Sequence, residues 1–186
     1  MVNLALLGGG ARPRPAAPVA LGALLPDLPM FAFFFWERFV RETPMRTIWE
    51  VRYFEPDWQA FFDLFNSIPL FAVALAVALW RRHDAAALLS ASVLLHCAFD
   101  LLVHREDGHR HFFPLSDWRF MSPMSYWDPA HGGVLGAGLE TLALLGACAV
   151  LWRRHPGLPA RAALAGLALF SSVAWLLFYG LGRLPA

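Results

Sequence analysis

The sequence predicts an all-α fold, a polytopic transmembrane helix bundle with four to five spans. Composition is the first observation: AVILMFWYC residues make up 58% of the 186 residues and charged residues only 16%, against roughly 45–50% and 25% in soluble domains. The second is that apolar segments of about 20 residues, the length that crosses a bilayer as a helix, recur along the chain. A formal net charge of +1 and only two cysteines argue against a nucleic-acid-binding protein and a disulfide scaffold.

The N-terminal stretch 1–18 is interpreted as a flexible tail, because Gly8–Pro18 is rich in Ala, Pro, Gly and Arg. A signal peptide is disfavoured, since the arginines follow the first apolar stretch instead of preceding it. Residues 19–186 are predicted to form a single transmembrane domain. Its first span, 19–40, is interrupted by Pro26, Asp27 and Pro29, which is why we predict four to five spans.

The other four spans are predicted over 58–80, 84–103, 132–152 and 161–182. The third of these, 132–152, contains Glu140 as its one acidic residue. The second begins at Asp84, a good N-terminal helix cap. The span 58–80 is fully apolar only from Ile68 onward, because polar residues occupy its first half.

The residues Trp-Arg-Arg-His occur twice, at 80–83 and 152–155, where two of the predicted spans end. Tryptophan favours the membrane–water interface and arginine the aqueous side beyond it. Alternating crossings place both short connections on one side of the membrane, and the positive-inside rule makes that side the cytoplasm.

Two connections are long and rich in aromatic residues. Residues 37–57 mix aromatic and charged side chains, as an interfacial segment would. Residues 104–131 hold four of the seven histidines, and we predict a structured loop here between the third and fourth spans. Loops of this length in compact proteins are commonly functional or disordered, and this one is too aromatic for disorder.

Five ionisable residues in the predicted spans are candidates for positions at membrane depth, where each costs roughly 2.5–3.5 kcal/mol on insertion scales. They are Asp27, Asp63, His96, Asp100 and Glu140. A residue that costs this much at membrane depth requires a partner, and it is a candidate functional residue.

His96 and Asp100 lie four residues apart and therefore share one face of a helix. His104 continues that face, and Asp107 follows if the helix persists. An imidazole and a carboxylate one helical turn apart can chelate a divalent cation. Alternatively, His96 and Asp100 only hydrogen-bond each other or a neighbouring helix. Several carboxylates hidden with a histidine favour a site that binds a metal ion or protons.

The loop sequence His109-Arg110-His111 offers further imidazoles. They could serve as metal ligands or as general acid–base groups. The alternative is a solvated loop at the interface, in which they pair with Glu106 and Asp107.

Four short motifs occur in order within residues 18–120. They are Leu21–Asp27 (LGALLPD), Phe65–Pro69 (FNSIP), His96–Leu102 (HCAFDLL) and Phe113–Phe120 (FPLSDWRF). This order resembles the membrane-bound metal-dependent hydrolases of bacterial inner membranes. In that family a Gly-x-x-x-Pro-Asp stretch is followed by a His-Ser pair, by His-x-x-x-Asp on a helix and by a Pro-Phe-Ser-like turn.

The resemblance implies a divalent metal ion, zinc in preference to others, and location in the bacterial inner membrane. The metal ligands it implies here are Asp27, His96 and Asp100. His104, Asp107 or His109 of this chain would assist them, Asp107 as a further metal ligand and His104 and His109 as catalytic groups. A metal-bound water would then attack an ester or phosphoester in a lipid-like substrate.

This chain departs from the family pattern at two histidines. The early family histidine falls at Pro18, which cannot bind metal, and the His-Ser pair appears as Asn66-Ser67. His104, His109 and His111 could rebuild the site from the loop. Equally, the chain could have lost catalysis and kept the scaffold.

Two functions therefore stay open. One is a metal-dependent hydrolase. The other is a non-catalytic accessory or scaffold subunit of a larger membrane complex, in contact with pigment, quinone or lipid. The expected partners are membrane lipids and other membrane protein subunits, and no nucleic acid. A proton- or ion-coupled transporter suits buried Asp and His residues but is less attractive, because the chain shows no internal repeat.

Overall fold

Every regular element is helical in residues 1–9, 15–126 and 128–181, the part of the chain that this computed structural model describes. Long Ala/Leu/Phe runs favour this outcome, because in a bilayer each backbone N–H and C=O of a helix bonds within its own segment. The predicted all-α class is confirmed.

Among the described residues, four helical segments are long and apolar enough to cross a membrane. They are Pro56–Trp80, Asp84–Val103, Gly133–Arg154 and Leu158–Tyr179, of 20 to 25 residues each. All four predicted spans are thus present, with ends shifted by up to three residues. Residue 182, the predicted end of the last span, lies outside the described residues.

The predicted first span consists of two helices that meet at a bend of 53°. Helix α2 covers Ala16–Leu24, and α3 covers Leu28–Phe35 and continues into a π-helical turn over Trp36–Val40. Pro26 between them lacks an N–H group and restricts the residue before it, so α2 cannot continue through it.

The remaining helices follow in chain order. Helix α1 covers Val2–Leu7 and lies within the stretch interpreted as a tail, of which residues 10–14 are outside the described part. Helix α4 covers Met45–Glu50, and a 3₁₀ turn follows over Arg52–Phe54. Helices α5 to α9 cover Pro56–Phe65, Ile68–Trp80, Asp84–Val103, Gly133–Arg154 and Leu158–Trp175, with a 3₁₀ turn over Pro129–His131 and a π-helical turn over Leu176–Leu181.

The chain divides into two compact units. One comprises residues 17–101 and 106–121, and its core is a cluster of Phe33, Ile48, Tyr53 and Phe62. Phe33 is completely buried and meets the Phe62 ring edge-on at 5.5 Å between centroids. Aromatic packing of this kind stabilises beyond the area it buries.

Glu37 anchors the connection between α3 and α5 in this unit. Its side chain is fully buried and accepts hydrogen bonds from Arg52 Nη2 at 2.9 Å, Arg52 Nε at 3.1 Å and Thr43 Oγ1 at 2.8 Å. The Glu37 carboxylate raises the pKa of Arg52 above its ordinary value. A buried carboxylate that is met by a bidentate guanidinium orders the segment between them.

The other unit comprises the described parts of 1–16, 102–105 and 122–186. Its core contains Cys148 and Leu151 of α8 and Leu164 of α9. Leu4 and Ala5 of α1 pack against this cluster, which explains why a short apolar helix forms so early in the chain.

Candidate functional site

Asp27 is the N-cap residue of α3 and lies in the turn that separates α2 from α3. A helix that ends leaves its last carbonyl groups without helical partners. Two of the carbonyls near this break accept side-chain hydrogen bonds, Ala23 O from His96 Nδ1 at 3.0 Å and Pro26 O from Asn66 Nδ2 at 3.3 Å. Polar side chains therefore form hydrogen bonds around the turn that contains Asp27.

Helix α7 packs closely on α2 along the face that carries His96. Ser92 Oγ, one turn before His96, donates a hydrogen bond to Val19 O at 2.7 Å. Gly22 makes the close approach possible, because a Cβ at this position would lie 2.3 Å from Leu89 O of α7. These contacts between α2 and α7 fix the position of His96 relative to the break.

His96 stands between two carboxylates. Its Nε2 atom is 3.2 Å from Asp100 Oδ2 and 3.7 Å from Asp27 Oδ1. The His96 and Asp100 side chains are mostly buried, whereas Asp27 is 40% exposed. The structure thus brings three of the predicted site residues together, and we call them the Asp27–His96–Asp100 triad.

Hydrogen-bond roles indicate that the triad holds a proton. The Ala23 carbonyl can only accept, so His96 Nδ1 carries a hydrogen. Nε2 faces Asp100 Oδ2 at 3.2 Å, and an ionised carboxylate also only accepts. The pairing is favourable when the imidazole is doubly protonated, or when Asp100 carries the proton instead. Two carboxylates beside a neutral imidazole would otherwise concentrate negative charge at membrane depth.

The predicted metal ion does not fit the side chains as they are placed. Within residues 1–9, 15–126 and 128–181, no group of three or more His, Cys, Asp and Glu side chains is arranged to hold a metal ion. Both carboxylates of the triad contact the same imidazole nitrogen, Nε2 of His96, and this geometry favours proton sharing. The divalent metal and its identity as zinc stay predictions.

Asn66 lies at the junction of α5 and α6, at the position where the family pattern has histidine. Besides its bond to Pro26 O, its Nδ2 donates to Phe62 O at 3.1 Å, and the side chain is 1% exposed. Its Oδ1 is buried and has no hydrogen-bond partner in the part of the chain that the structure describes. The Asn66 side chain therefore reaches the same turn as Asp27, but it does so as a backbone-binding amide.

A second charged cluster forms around Asp63, which is fully buried in α5. Asp63 accepts hydrogen bonds from the backbone N–H of Arg110 at 2.9 Å and from Arg110 Nε at 2.5 Å. His109 Nδ1 lies 3.6 Å from Asp63 Oδ1. The Asp63 carboxylate raises the pKa of the Arg110 guanidinium above its ordinary value. The predicted catalytic residue His109 thus belongs to this cluster.

The loop that follows Arg110 is bound to the junction of α5 and α6. Ile68 N donates to His111 O at 2.8 Å, and His111 Nδ1 lies 3.0 Å from Asn66 O. Ser67, which caps α6 by accepting from Leu70 N, also donates from Oγ to Phe113 O. These contacts agree with the prediction of a structured loop. His111 is buried and is one of the residues that bind the loop to this junction.

Two predicted site residues occupy other surroundings. His104 belongs to the unit of α8 and α9, where its ring meets the Tyr126 ring edge-on at 5.1 Å between centroids. Asp107 lies in the unit of the triad, and its backbone carbonyl accepts from the Tyr53 hydroxyl at 3.4 Å.

Sequence reasoning missed the partners of the site residues more than the residues themselves. The sequence singles out Asp63 as an ionisable residue in a span, but it does not indicate the partner of this carboxylate. Arg110 pairs with Asp63 of α5 as well as with Asp117 of its own loop. The one available signal was that a buried carboxylate at position 63 requires a cation, and arginine is the cation best suited to buried pairs.

Comparisons with known proteins add no further assignment. The chain matches no protein-family model, no curated protein and no solved structure.

Proposed function

We propose that this protein is an integral membrane hydrolase whose reaction centre is the Asp27–His96–Asp100 triad. The observation that carries the proposal is the position of His96, held by the Ala23 carbonyl on one side and by two carboxylates on the other. Ionisable residues inside a membrane protein mark functional sites by default, and broken helices are where such sites are built.

The chemistry that these side chains can perform is proton transfer. Imidazole takes up and releases protons near neutral pH, and a flanking carboxylate orients the ring and stabilises its charged form. Asp27 is the most exposed member of the triad, so it is the side at which water or a substrate group can approach His96.

The reaction class comes from the resemblance over residues 18–120. It suggests hydrolysis of an ester or phosphoester in a lipid-like substrate, which a site at membrane depth can reach. Nearly all of these residues lie in the unit that holds the triad. The resemblance also implies a divalent metal, so metal dependence is part of the test, although the described side chains do not form a metal site.

The test uses the full chain purified in mild detergent. We expect hydrolysis of phosphoester or ester substrates in mixed micelles, and a loss of about 10²–10⁴-fold for His96→Ala and for Asp100→Asn, the range typical of a general acid–base group. His155→Gln is the matched control, because His155 is an exposed histidine at the end of α8 and should leave the rate unchanged.

Metal dependence is measured on the same preparations by elemental analysis and by thermal unfolding with zinc or with a chelator. Zinc bound by the wild type and lost in His96→Ala would add a metal to the proposed mechanism. Wild-type protein without activity on any ester or phosphoester, with or without added zinc, would overturn the hydrolase proposal.

The alternative is a non-catalytic subunit of a larger membrane complex. Two observations favour it: the family histidines are replaced by Pro18 and Asn66, and the described residues contain no metal-holding group. Co-migration with other membrane proteins or a coloured cofactor at fixed stoichiometry, together with an inactive wild type, would support this function in place of the first.

A further inference from the structure

An open apolar groove of about 240 Å³ lies between α8 and α9, in the unit that does not contain the triad. It is lined by apolar residues, among them Cys148, Ala149, Leu164, Ala165 and Ala168. Pockets for small metabolites are commonly about 300–1,000 Å³ and carry several placed polar groups. This groove is smaller and apolar, which suits a hydrocarbon chain.

Arg161 lies beside Trp152, another residue that lines the groove. Its guanidinium stacks over the Trp152 ring, with the Cζ atom 5.2 Å from the ring centroid. The Nε atom of Arg161 is buried and has no hydrogen-bond acceptor among the described residues. Burying a charged N–H group without an acceptor is unfavourable, so an anion next to Arg161 would be stabilising.

The surrounding sequence leaves this positive charge uncompensated. Arg153 and Arg154 end α8 and are exposed, while α9 has no acidic residue and α8 has one, Glu140. Glu140 precedes Arg153 by almost four helical turns, about 20 Å along the helix. Tryptophan and arginine together at the end of a span are typical of the headgroup region.

We propose that this groove is a binding site for an anionic phospholipid. An acyl chain lies between α8 and α9, and the lipid phosphate accepts hydrogen bonds from Arg161, with Arg153 contributing charge. Basic sites between transmembrane helices bind anionic headgroups by the same physics. The proposal is independent of the triad and of hydrolase activity.

The chain contains its own control at the other Trp-Arg-Arg-His sequence. Arg81 stacks over Trp80 at 5.0 Å, much as Arg161 does over Trp152. There, however, Asp84 follows two residues after Arg82 and compensates part of the charge. Arg81→Gln therefore removes a similar stacked arginine from a site where we do not propose a lipid.

The experiment is native mass spectrometry of the full chain in detergent, with equal amounts of phosphatidylglycerol and phosphatidylcholine of the same acyl chains. We expect preferential retention of phosphatidylglycerol by the wild type. Arg161→Gln should lower that retention about fivefold, the effect of one arginine near an anionic surface, and Arg81→Gln should leave it unchanged.

A second variant tests the groove without changing any charge. Ala165→Leu should fill part of the groove and lower retention of both lipids, while the thermal unfolding temperature stays within a few degrees of the wild type. Equal retention of the two lipids by the wild type, or equal losses in Arg161→Gln and Arg81→Gln, would overturn the proposal.

Discussion

Asp63 and Asp117 show how burial decides what a carboxylate contributes at the level of a single residue. Both accept from the same guanidinium, that of Arg110. The Asp63 side chain is fully buried, whereas that of Asp117 is 86% exposed. Water screens the exposed Arg110–Asp117 pair and competes for its hydrogen bonds. It cannot replace the buried Asp63 as a partner of Arg110.

We therefore expect different losses of stability from two matched substitutions. Asp63→Asn removes the buried counter-charge of the mostly buried Arg110 and leaves it only the exposed Asp117. It should therefore lower the free energy of unfolding by about 3–5 kcal/mol. Asp117→Asn should lower it by roughly 0–1 kcal/mol. Denaturant unfolding in detergent, followed by tryptophan fluorescence, measures both. Equal effects would show that the Asp63–Arg110 pair does not anchor the loop.

At the scale of elements, the contact of α2 with α7 positions the triad. Small side chains let the two backbones meet, and Gly22 lies where they are closest. Helices inside membranes commonly use small residues in this way, because packing replaces the hydrophobic effect between them. The hydrogen bond from Ser92 to Val19 and the contact of His96 with Ala23 belong to the same interface between α2 and α7.

Gly22→Ala should weaken the packing between α2 and α7. Its new Cβ would overlap a backbone oxygen of α7, which cannot rotate away, so we expect a loss of about 1–3 kcal/mol in the free energy of unfolding. Hydrolytic activity should fall with it, since His96 would move relative to Asp27.

Gly166→Ala in α9 is the control for Gly22→Ala, because a Cβ at Gly166 meets no atom within 4 Å. Alanine is the better helix former by about 1 kcal/mol, so this substitution should be neutral or stabilising. If Gly22→Ala were as well tolerated, the close approach of the two helices would not matter for stability.

At the scale of the whole molecule, the bent pair of α2 and α3 decides whether the chain crosses the membrane four or five times. A bend of 53° changes the direction of the chain without reversing it. At 1.5 Å per residue, the two segments and their turn advance about 25–30 Å. That is close to the thickness of the hydrocarbon core, so we expect a fifth crossing.

Cysteine labelling tests this crossing. Single cysteines at Ala17, in the first turn of the bent pair, and at Arg46, beyond its end, are both exposed. They should react with an impermeant maleimide from opposite sides of the membrane. The native Cys97 and Cys148 are buried and would be replaced by serine for the assay. Labelling of both positions from the same side would instead identify the pair as a re-entrant loop.

The sequence by itself determined the spans and the ionisable residues worth attention. A run of about 20 apolar residues has to bond its own backbone in lipid, and this is a local requirement that can be read from the chain. The cost of a charge at membrane depth is equally local, and it identifies Asp27, Asp63, His96 and Asp100 from the sequence alone.

Only the tertiary structure decided which partners meet these residues. Helical spacing places His96 and Asp100 on one face, but it does not specify the opposing surface. That surface is a broken helix seventy-three residues away, whose Ala23 carbonyl accepts from His96. Asp63 likewise pairs with a loop residue forty-seven positions later. Such pairings depend on how helices pack, because periodicity shows which residues share a face and carries no information about what covers it.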